Sequence, residues 1–286
     1  MRHLLKVLCA TCFLLPAAAH SERFADGTLA LGVLTQNDIQ TRYAFGDFSL
    51  GATYGAWGAE LGFFGVVGRL HETYANLSYR AGDATFRVGF PRPAYDLVAP
   101  SALTAMMPRA ALDDIGRSRS RATYGTMFEP DFLPYGASVA HNFGTGRAYA
   151  SSHGFPNQDV TIAGFGFTQH RGEFTYALAA EAVAENDAIT WNTKAQATAK
   201  VGYYSLGLGL FNPAANGLPR MAEVSASYTW DGGTTLTGVY RAAQDGASDL
   251  TLGLRQPITR AIDLQAAVRQ NETGETRLSA EIALNF

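Results

Sequence analysis

Charged residues are scarce in this sequence, and so are cysteines and long apolar runs. Asp, Glu, Lys and Arg make up 16% of its 286 residues, and the formal net charge is −3. Because a nucleic-acid-binding protein needs a basic surface, we expect no nucleic-acid partner. Both cysteines, Cys9 and Cys12, lie near the N-terminus, so the rest of the chain has neither a disulfide nor a thiol nucleophile. Beyond the N-terminal segment, no apolar run approaches the ~20 residues that a membrane-spanning helix needs.

The first residues of the chain have the pattern of a secretory signal peptide. Arg2 and Lys6 supply positive charge, an apolar stretch runs to Pro16, and three small residues ending at Ala19 suit a signal peptidase. The alternative, a transmembrane anchor, is disfavoured because the apolar stretch is shorter than ~20 residues. We therefore expect a signal peptide over residues 1–19 and a single exported domain over residues 20–286.

Alternation of apolar and polar residues with period two dominates the rest of the sequence. In the C-terminal segment, Leu278, Ala280, Ile282, Leu284 and Phe286 fall on one face, with mostly polar residues between them. Such alternation indicates β-strands with one apolar face. The same pattern recurs at 86–90, 174–182, 224–230, 250–255 and 262–269.

Such segments number about 16, with about 14 as the alternative. Each has ~8–13 residues, which is enough for a tilted strand to cross a membrane. Segment 192–201 also suits a helix, but we interpret it as a strand. Most connections after even-numbered strands are short, whereas the longest, Pro91–Leu133, follows the fifth strand. We predict an all-β protein, a transmembrane antiparallel β-barrel with a long loop after strand 5.

The distribution of charge favours a membrane barrel over the alternative of a soluble β-sandwich. One face of nearly every strand carries isolated charges, and the other carries almost none, as expected when apolar residues face lipid and polar residues face a water-filled lumen. Aromatic residues often stand at strand ends, which is typical of the girdles at membrane interfaces. These are Trp57, Tyr79, Phe90, Phe143, Phe211, Trp230 and Tyr240.

The terminal pattern, apolar at every second position from Leu278 to Phe286, resembles the last strand of Gram-negative outer-membrane proteins. The long connection after strand 5 is similar to the constriction loop of trimeric general porins, most of all those of Rhodobacter type. The resemblance implies a homotrimeric, non-enzymatic, cofactor-free channel for passive diffusion of small hydrophilic solutes and ions. It also implies residence in the outer-membrane bilayer and recognition of Phe286 by the barrel assembly machinery.

The long connection contains five prolines and both signs of charge. We expect it to fold into the lumen, where opposed charges at a constriction would orient dipolar solutes and bias ion selectivity. The predicted constriction residues are Asp96, Arg109, Asp113, Asp114, Arg117, Arg119 and Arg121. The predicted wall residues are Arg80, Arg87, Glu181, Glu223, Arg255, Asp263, Arg269, Arg277 and Glu281. The alternative is an ordinary surface loop whose charged side chains face solvent.

Two other functions remain open at this level. An outer-membrane enzyme, a lipid hydrolase or a protease, would need a nucleophile and a base close together, and Ser138 with His141 is the nearest candidate. A structural or adhesive barrel would have a plugged lumen. The histidines lack the spacing of a metal site, so we expect no metal.

Overall fold

The computed structural model describes residues 21–68, 70–129, 133–156 and 158–286, without the side chains of Ala110, Ala111 and Asp113. The predicted signal peptide lies outside the described residues and stays a prediction. Within the described residues, no helix has both the length and the apolar character needed to cross a membrane.

Sixteen antiparallel strands form one closed barrel, in which each strand pairs with its sequence neighbours and β1 pairs with β16. This confirms the predicted fold class and strand number. The uncertain segment 192–201 lies in a strand. The strands are β1 Ser21–Gln36, β2 Ile39–Tyr54, β3 Trp57–Val66, β4 His71–Ala81, β5 Ala84–Phe90, β6 Tyr135–Phe143, β7 Gly146–Gly154, β8 Val160–Arg171, β9 Phe174–Glu185, β10 Ala188–Val201, β11 Tyr204–Pro213, β12 Met221–Thr229, β13 Thr235–Ala243, β14 Ser248–Pro257, β15 Ile262–Asn271 and β16 Thr276–Asn285.

Closure of the barrel leaves no edge strand, because every strand is hydrogen-bonded to a neighbour on both sides, as a lipid environment demands. The last residue takes part, because the Phe286 N–H donates to the Gly27 carbonyl at 3.1 Å and the Gly27 N–H donates to the Phe286 carbonyl at 3.0 Å. Apolar side chains of alternate residues stand outward, among them Leu31 at 64% exposure and Ile282 at 56%. The inverted pattern of a membrane barrel follows from this orientation.

The connections at the two ends of the barrel differ in length. The end that carries the connections after even-numbered strands, here the turn end, has five links of two residues each. The opposite end, here the loop end, carries the β5–β6 connection, whose position confirms the prediction. Two loop-end connections are also tight, and in both an Asn-Asp pair has positive φ (Asn37, 50°; Asp38, 62°; Asn186, 51°; Asp187, 62°). Positive φ at both central residues suits the twist of a hairpin.

The β5–β6 connection, here the inner loop, folds into the barrel. It contains helices α1 (Ala102–Met106), α2 (Pro108–Ala111) and α3 (Arg121–Phe128) and two 3₁₀ segments, Ala94–Leu97 and Leu112–Arg117. Its apolar side chains are at most 1% exposed at Leu103, Met107, Leu112 and Ile115 and pack on wall residues Tyr43, Phe45 and Phe64. The hydrophobic core of this protein therefore lies inside the barrel, between loop and wall.

Candidate functional site

Two wall carboxylates hold the inner loop by capping its helices. Glu223 accepts hydrogen bonds from Ser101 Oγ at 2.5 Å and the Ala102 N–H at 2.8 Å, at the start of α1. A carboxylate at this position satisfies free N–H groups and complements the helix dipole. The sequence predicted Glu223 as a water-facing wall residue. The structure places it inward but 2% exposed, beneath the loop.

Glu181 repeats this arrangement at α3. It accepts hydrogen bonds from Ser120 Oγ, the Arg121 N–H and Asn192 Nδ2, each at 2.6 Å. Like Glu223, it points inward as predicted, but it is 1% exposed and does not face water. Both carboxylates therefore anchor the loop to the β9–β12 side of the wall.

A four-residue ion cluster fastens the middle of the loop. Asp114 accepts from Arg241 at 2.9 Å and Arg269 at 2.6 Å, while Asp249 accepts from the same arginines at 2.6 and 3.1 Å. Burial raises the pKa of Asp114, but Arg241 and Arg269 lower it by more, so that its pKa lies below the ordinary value. Asp114 was predicted in the constriction and Arg269 in the wall, and the structure joins them as an anchor.

The loop arginines predicted to face the lumen are engaged elsewhere. Arg117 lies 3.7 Å from Asp114 and 3.8 Å from Asp245. Arg121 pairs with Glu129 at 2.6 Å and with Glu185 at 3.4 Å. These ion pairs tie the loop to itself and to the rim of the barrel.

Among the other predicted loop residues, Arg119 and Asp96 also contact groups of the protein. Arg119 lies under the loop with its guanidinium carbon 4.1 Å from the centre of the Phe64 ring. Asp96 is 4% exposed and accepts from the Ser120 N–H at 2.6 Å. Arg109 lies in α2 and is partly buried. The side chain of Asp113 is outside the described part of the chain.

The remaining predicted wall residues occupy several positions around the barrel. Arg255 pairs with Asp263 at 2.7 Å, and Glu281 accepts from the Tyr43 hydroxyl at 2.8 Å. Arg277 lies 3.9 Å from Glu275 near the loop end, and Arg80 is exposed at the turn end of β4. Of the predicted wall residues, Arg87 is the one that lines the polar cavity beside the inner loop.

That cavity, here the channel, is the space left between the inner loop and strands β1–β7, with a volume of about 480 Å³. The inner loop bounds it through Arg92 and Leu97, and the strands bound the rest of it. Its lining is strongly polar and carries charges of both signs. The charged lining residues are Asp26, Asp47, Glu60, Arg87, Arg92 and Arg147.

Several of these charges are neutralised in pairs. Arg92 donates to both oxygens of Asp47, at 3.0 and 3.3 Å, and Arg87 lies 3.6 Å from Glu60. Arg147 differs, since its guanidinium lies over the Tyr149 ring at 5.0 Å, and no carboxylate of the described residues is within 4.0 Å of it. Arg147 is therefore the cation of this lining whose charge stays uncompensated by the protein.

Sequence reasoning missed five of the six charged lining residues. The period-two pattern that predicted Arg87 as a wall residue could also have identified two of them. In β2, Asp47 and Ser49 alternate with the outward residues Phe48 and Leu50, and in β7, Arg147 and Tyr149 occupy alternate positions. Strand position alone does not distinguish a side chain that faces water from one that the loop covers.

A closed 16-strand barrel with a folded loop inside its lumen defines the architecture of the porins. Solved structures agree over nearly the whole chain. A triple mutant of the Rhodopseudomonas blastica porin superposes with a TM-score of 0.73 at 15% identity, covering 93% of this chain and 100% of that chain. Another Rh. blastica porin mutant has a TM-score of 0.71 at 13% identity, with the same coverage.

At these identities the likeness concerns the fold, and it confirms the resemblance to Rhodobacter-type porins at that level. No family model matches the sequence. No curated protein matches it either.

Proposed function

We propose that this protein is a porin, a water-filled channel for passive diffusion of small hydrophilic solutes and ions across the outer membrane of a Gram-negative bacterium. The observation that carries the proposal is the charged channel beside the inner loop. A barrel of this size is too wide for side chains to fill. Here the loop fills part of the lumen and leaves a polar cavity of about 480 Å³ beside it, so the path that we infer is narrow but polar.

The proposal includes the finer expectations from the resemblance. The chain is exported by its signal peptide, recognised at Phe286 by the barrel assembly machinery, inserted into the lipid bilayer and assembled as a homotrimer, without enzymatic activity. Phe286 is 42% exposed on the barrel exterior, which suits recognition by another protein.

The enzyme alternative has no support in the geometry of its candidate residues. Ser138 lines the channel, whereas His141, three positions along β6, is on the exterior face and stacks near Phe143 at 6.4 Å. Residues separated by an odd number of positions in a strand point to opposite faces, so the pair cannot act together. Among the described residues, no group of three or more His, Cys, Asp or Glu could hold a metal ion.

Conductance in planar bilayers tests the proposal directly. The protein extracted from membranes is expected to insert in steps of uniform conductance, with liposomes that contain it swelling in small sugars. If heat-modifiable barrels inserted and the bilayer stayed non-conducting, this result would contradict the channel and favour a plugged structural barrel.

Substitution of Arg147 tests the channel lining. We expect Arg147→Gln to shift the reversal potential in a KCl gradient towards cation selectivity. A unit charge acts on an ion 4 Å away with ~1 kcal/mol in water, so the permeability ratio should change by up to about fivefold. Arg171→Gln is the control, because this exposed arginine lies at the turn end, away from the channel. Equal reversal potentials in the two variants would show that Arg147 does not line the path of the ions.

A further inference from the structure

The β11–β12 connection, residues 214–220 and here the second loop, also folds towards the lumen. It begins with a 3₁₀ turn, Ala214–Asn216, at the loop end. Ala215 packs there against the buried cluster that contains Ala122 of α3 and the inward residue Ile162. None of the charged groups that anchor the inner loop belongs to this connection, so its contacts with the inner loop form a separate attachment.

Asn216 connects the second loop to the main chain of the inner loop. Its Nδ2 donates to the Gly116 carbonyl at 2.7 Å and to the Arg119 carbonyl at 3.1 Å. One amide group therefore binds the chain on both sides of the point where the 3₁₀ segment Leu112–Arg117 gives way to α3. Asn216 Oδ1 is buried and has no hydrogen-bond partner within the described ranges, so this side chain acts as a donor alone.

The second loop is itself fixed to the wall of the barrel. The Ala215 N–H donates to Asn192 Oδ1 at 2.8 Å, and Asn192 Nδ2 donates to Glu181 at 2.6 Å. Because Glu181 also caps α3, the wall, the second loop and the inner loop belong to one hydrogen-bonded network. Hydrogen bonds in such a network support one another, so the loss of one member weakens the others.

Gly116 permits a close approach of the two loops because it has no side chain. A Cβ at this position would lie 2.9 Å from Leu218 Cδ1 and 2.8 Å from Tyr124 Cδ2, which is closer than carbon atoms approach without displacement. Leu218 belongs to the second loop and so lies directly on the inner-loop backbone. The inner loop is held here by packing as well as by the Asn216 amide.

Arg119 links this attachment to the channel. Its carbonyl accepts from Asn216, while its guanidinium lies 3.9 Å from Asp47 and 4.1 Å from the centre of the Phe64 ring. Asp47 lines the channel and pairs there with Arg92. A shift of the Arg119 main chain would therefore move charges of the channel lining.

We propose that Asn216 is a positioning residue of the channel, which holds the inner loop through the carbonyls of Gly116 and Arg119 and so keeps the lining at Asp47 in place. The inference rests on the proposed function, since it concerns the path of the ions. An inner loop without this attachment would move between positions that leave different cross-sections, and the open channel would switch between conductance states.

Single-channel recordings of Asn216→Asp and Asn212→Asp in planar bilayers test this role. Each substitution adds one negative charge at the loop end. Asn212 is the matched control because its Oδ1 accepts from Arg220 Nε at 3.2 Å, and a carboxylate oxygen can take over that bond. At Asn216 the carboxylate replaces a donor that faces two carbonyls. We expect about tenfold more frequent switching in Asn216→Asp and wild-type behaviour in the control.

Acid gives a signature of the lost donor. Burial raises the pKa of a carboxyl group above its ordinary value of about 4, and a neutral carboxyl can donate to one carbonyl. We therefore expect Asn216→Asp to switch less often at pH 5 than at pH 7. Asn216→Ala, which removes the donor without adding a charge, should switch equally often at both. Equal switching of Asn216→Asp at the two pH values would assign the effect to altered packing and overturn the role of the donor.

Hydrogen–deuterium exchange in detergent separates this inference from the proposed function. Peptides that cover residues 112–120 should exchange faster in Asn216→Asp than in Asn212→Asp, whether or not the barrel conducts. Equal exchange in the two variants would show that Asn216 does not hold the inner loop. Faster exchange with undisturbed current would show that the contact holds the loop without positioning the channel, which also overturns the proposal.

Two further observations complete the test. Heat-modifiable gel mobility shows whether each variant forms a barrel, and Asn216→Ala takes the place of Asn216→Asp if the introduced charge prevents folding. Faster exchange in the variant of a protein whose wild type never conducts would reject the channel and leave the contact between the two loops established.

Discussion

Excision of the inner loop is expected to raise single-channel conductance several-fold. The change replaces residues 93–133 with a four-residue Gly/Ser linker, which can join β5 to β6 because Gly89 and Gly136 are register partners in adjacent strands. The loop fills part of the lumen with packed side chains such as Leu103 and Ile115. A 16-strand barrel without such a filling leaves a wide aqueous channel, so the current per channel should rise.

The control replaces residues 272–275, the β15–β16 connection at the same end, with the same linker. This connection is not packed in the lumen, so we expect wild-type conductance. Heat-modifiable gel mobility verifies that each variant forms a barrel. An excised barrel that inserts and conducts like wild type would show that the loop does not limit the current.

Neutralisation of Asp114 is the second change with a large expected effect. Asp114→Asn leaves Arg241 and Arg269, 4% and 12% exposed, with Asp249 as their remaining anion in the cluster. Removal of one partner from a largely buried ion cluster leaves charge uncompensated. We expect a loss of about 2 kcal/mol in the free energy of unfolding, measured in detergent, and noisier open-channel current as the loop loosens.

Asp245→Asn is the matched control, since Asp245 is 47% exposed and lies 3.8 Å from Arg117 at the loop end. A surface pair of this kind contributes about 0–1 kcal/mol. If both variants unfolded at the same denaturant concentration as wild type, the cluster would not anchor the loop.

The pH dependence of Asp114 gives a further signature. Because its folded pKa is lowered, its stabilising contribution is fully present above the unfolded pKa of about 4 and disappears as pH falls through the folded pKa. The stability difference between wild type and Asp114→Asn should therefore be constant near neutrality and shrink only in strong acid. A difference that vanished between pH 5 and pH 7 would assign the effect to another group.

The fold could be predicted because it depends on a local, repeated signal. Alternation such as that of Leu278 to Phe286 places every second side chain on one face, and lipid outside with water inside makes one orientation favourable. The position of the long connection after strand 5 followed from counting strands. The ambiguous segment 192–201 was also assigned correctly, since it lies within β10.

The roles of individual charges could not be predicted in the same way. Glu181 and Arg87 have the same inward orientation, yet Glu181 caps α3 beneath the loop while Arg87 lines the channel. The difference depends on which part of the wall the loop covers. Contacts such as that between Asp114 and Arg269, 155 residues apart, have no counterpart in the local pattern.

The sequence by itself determined the barrel, its apolar exterior and the existence of a long loop, because each depends on side-chain alternation along one strand or on the lengths of the connections. It predicted about 16 strands with 14 as the alternative, and the structure decided for 16. The tertiary structure alone decided where the channel runs. Glu181, Glu223 and Arg241 on β9–β13 satisfy polar groups of the loop, and its apolar side chains pack on β2 and β3. The cavity remains beside Asp47, Glu60 and Arg147. The position of the channel is decided by packing and ion pairing between residues distant in the chain. The alternation of residues along a strand does not encode these contacts.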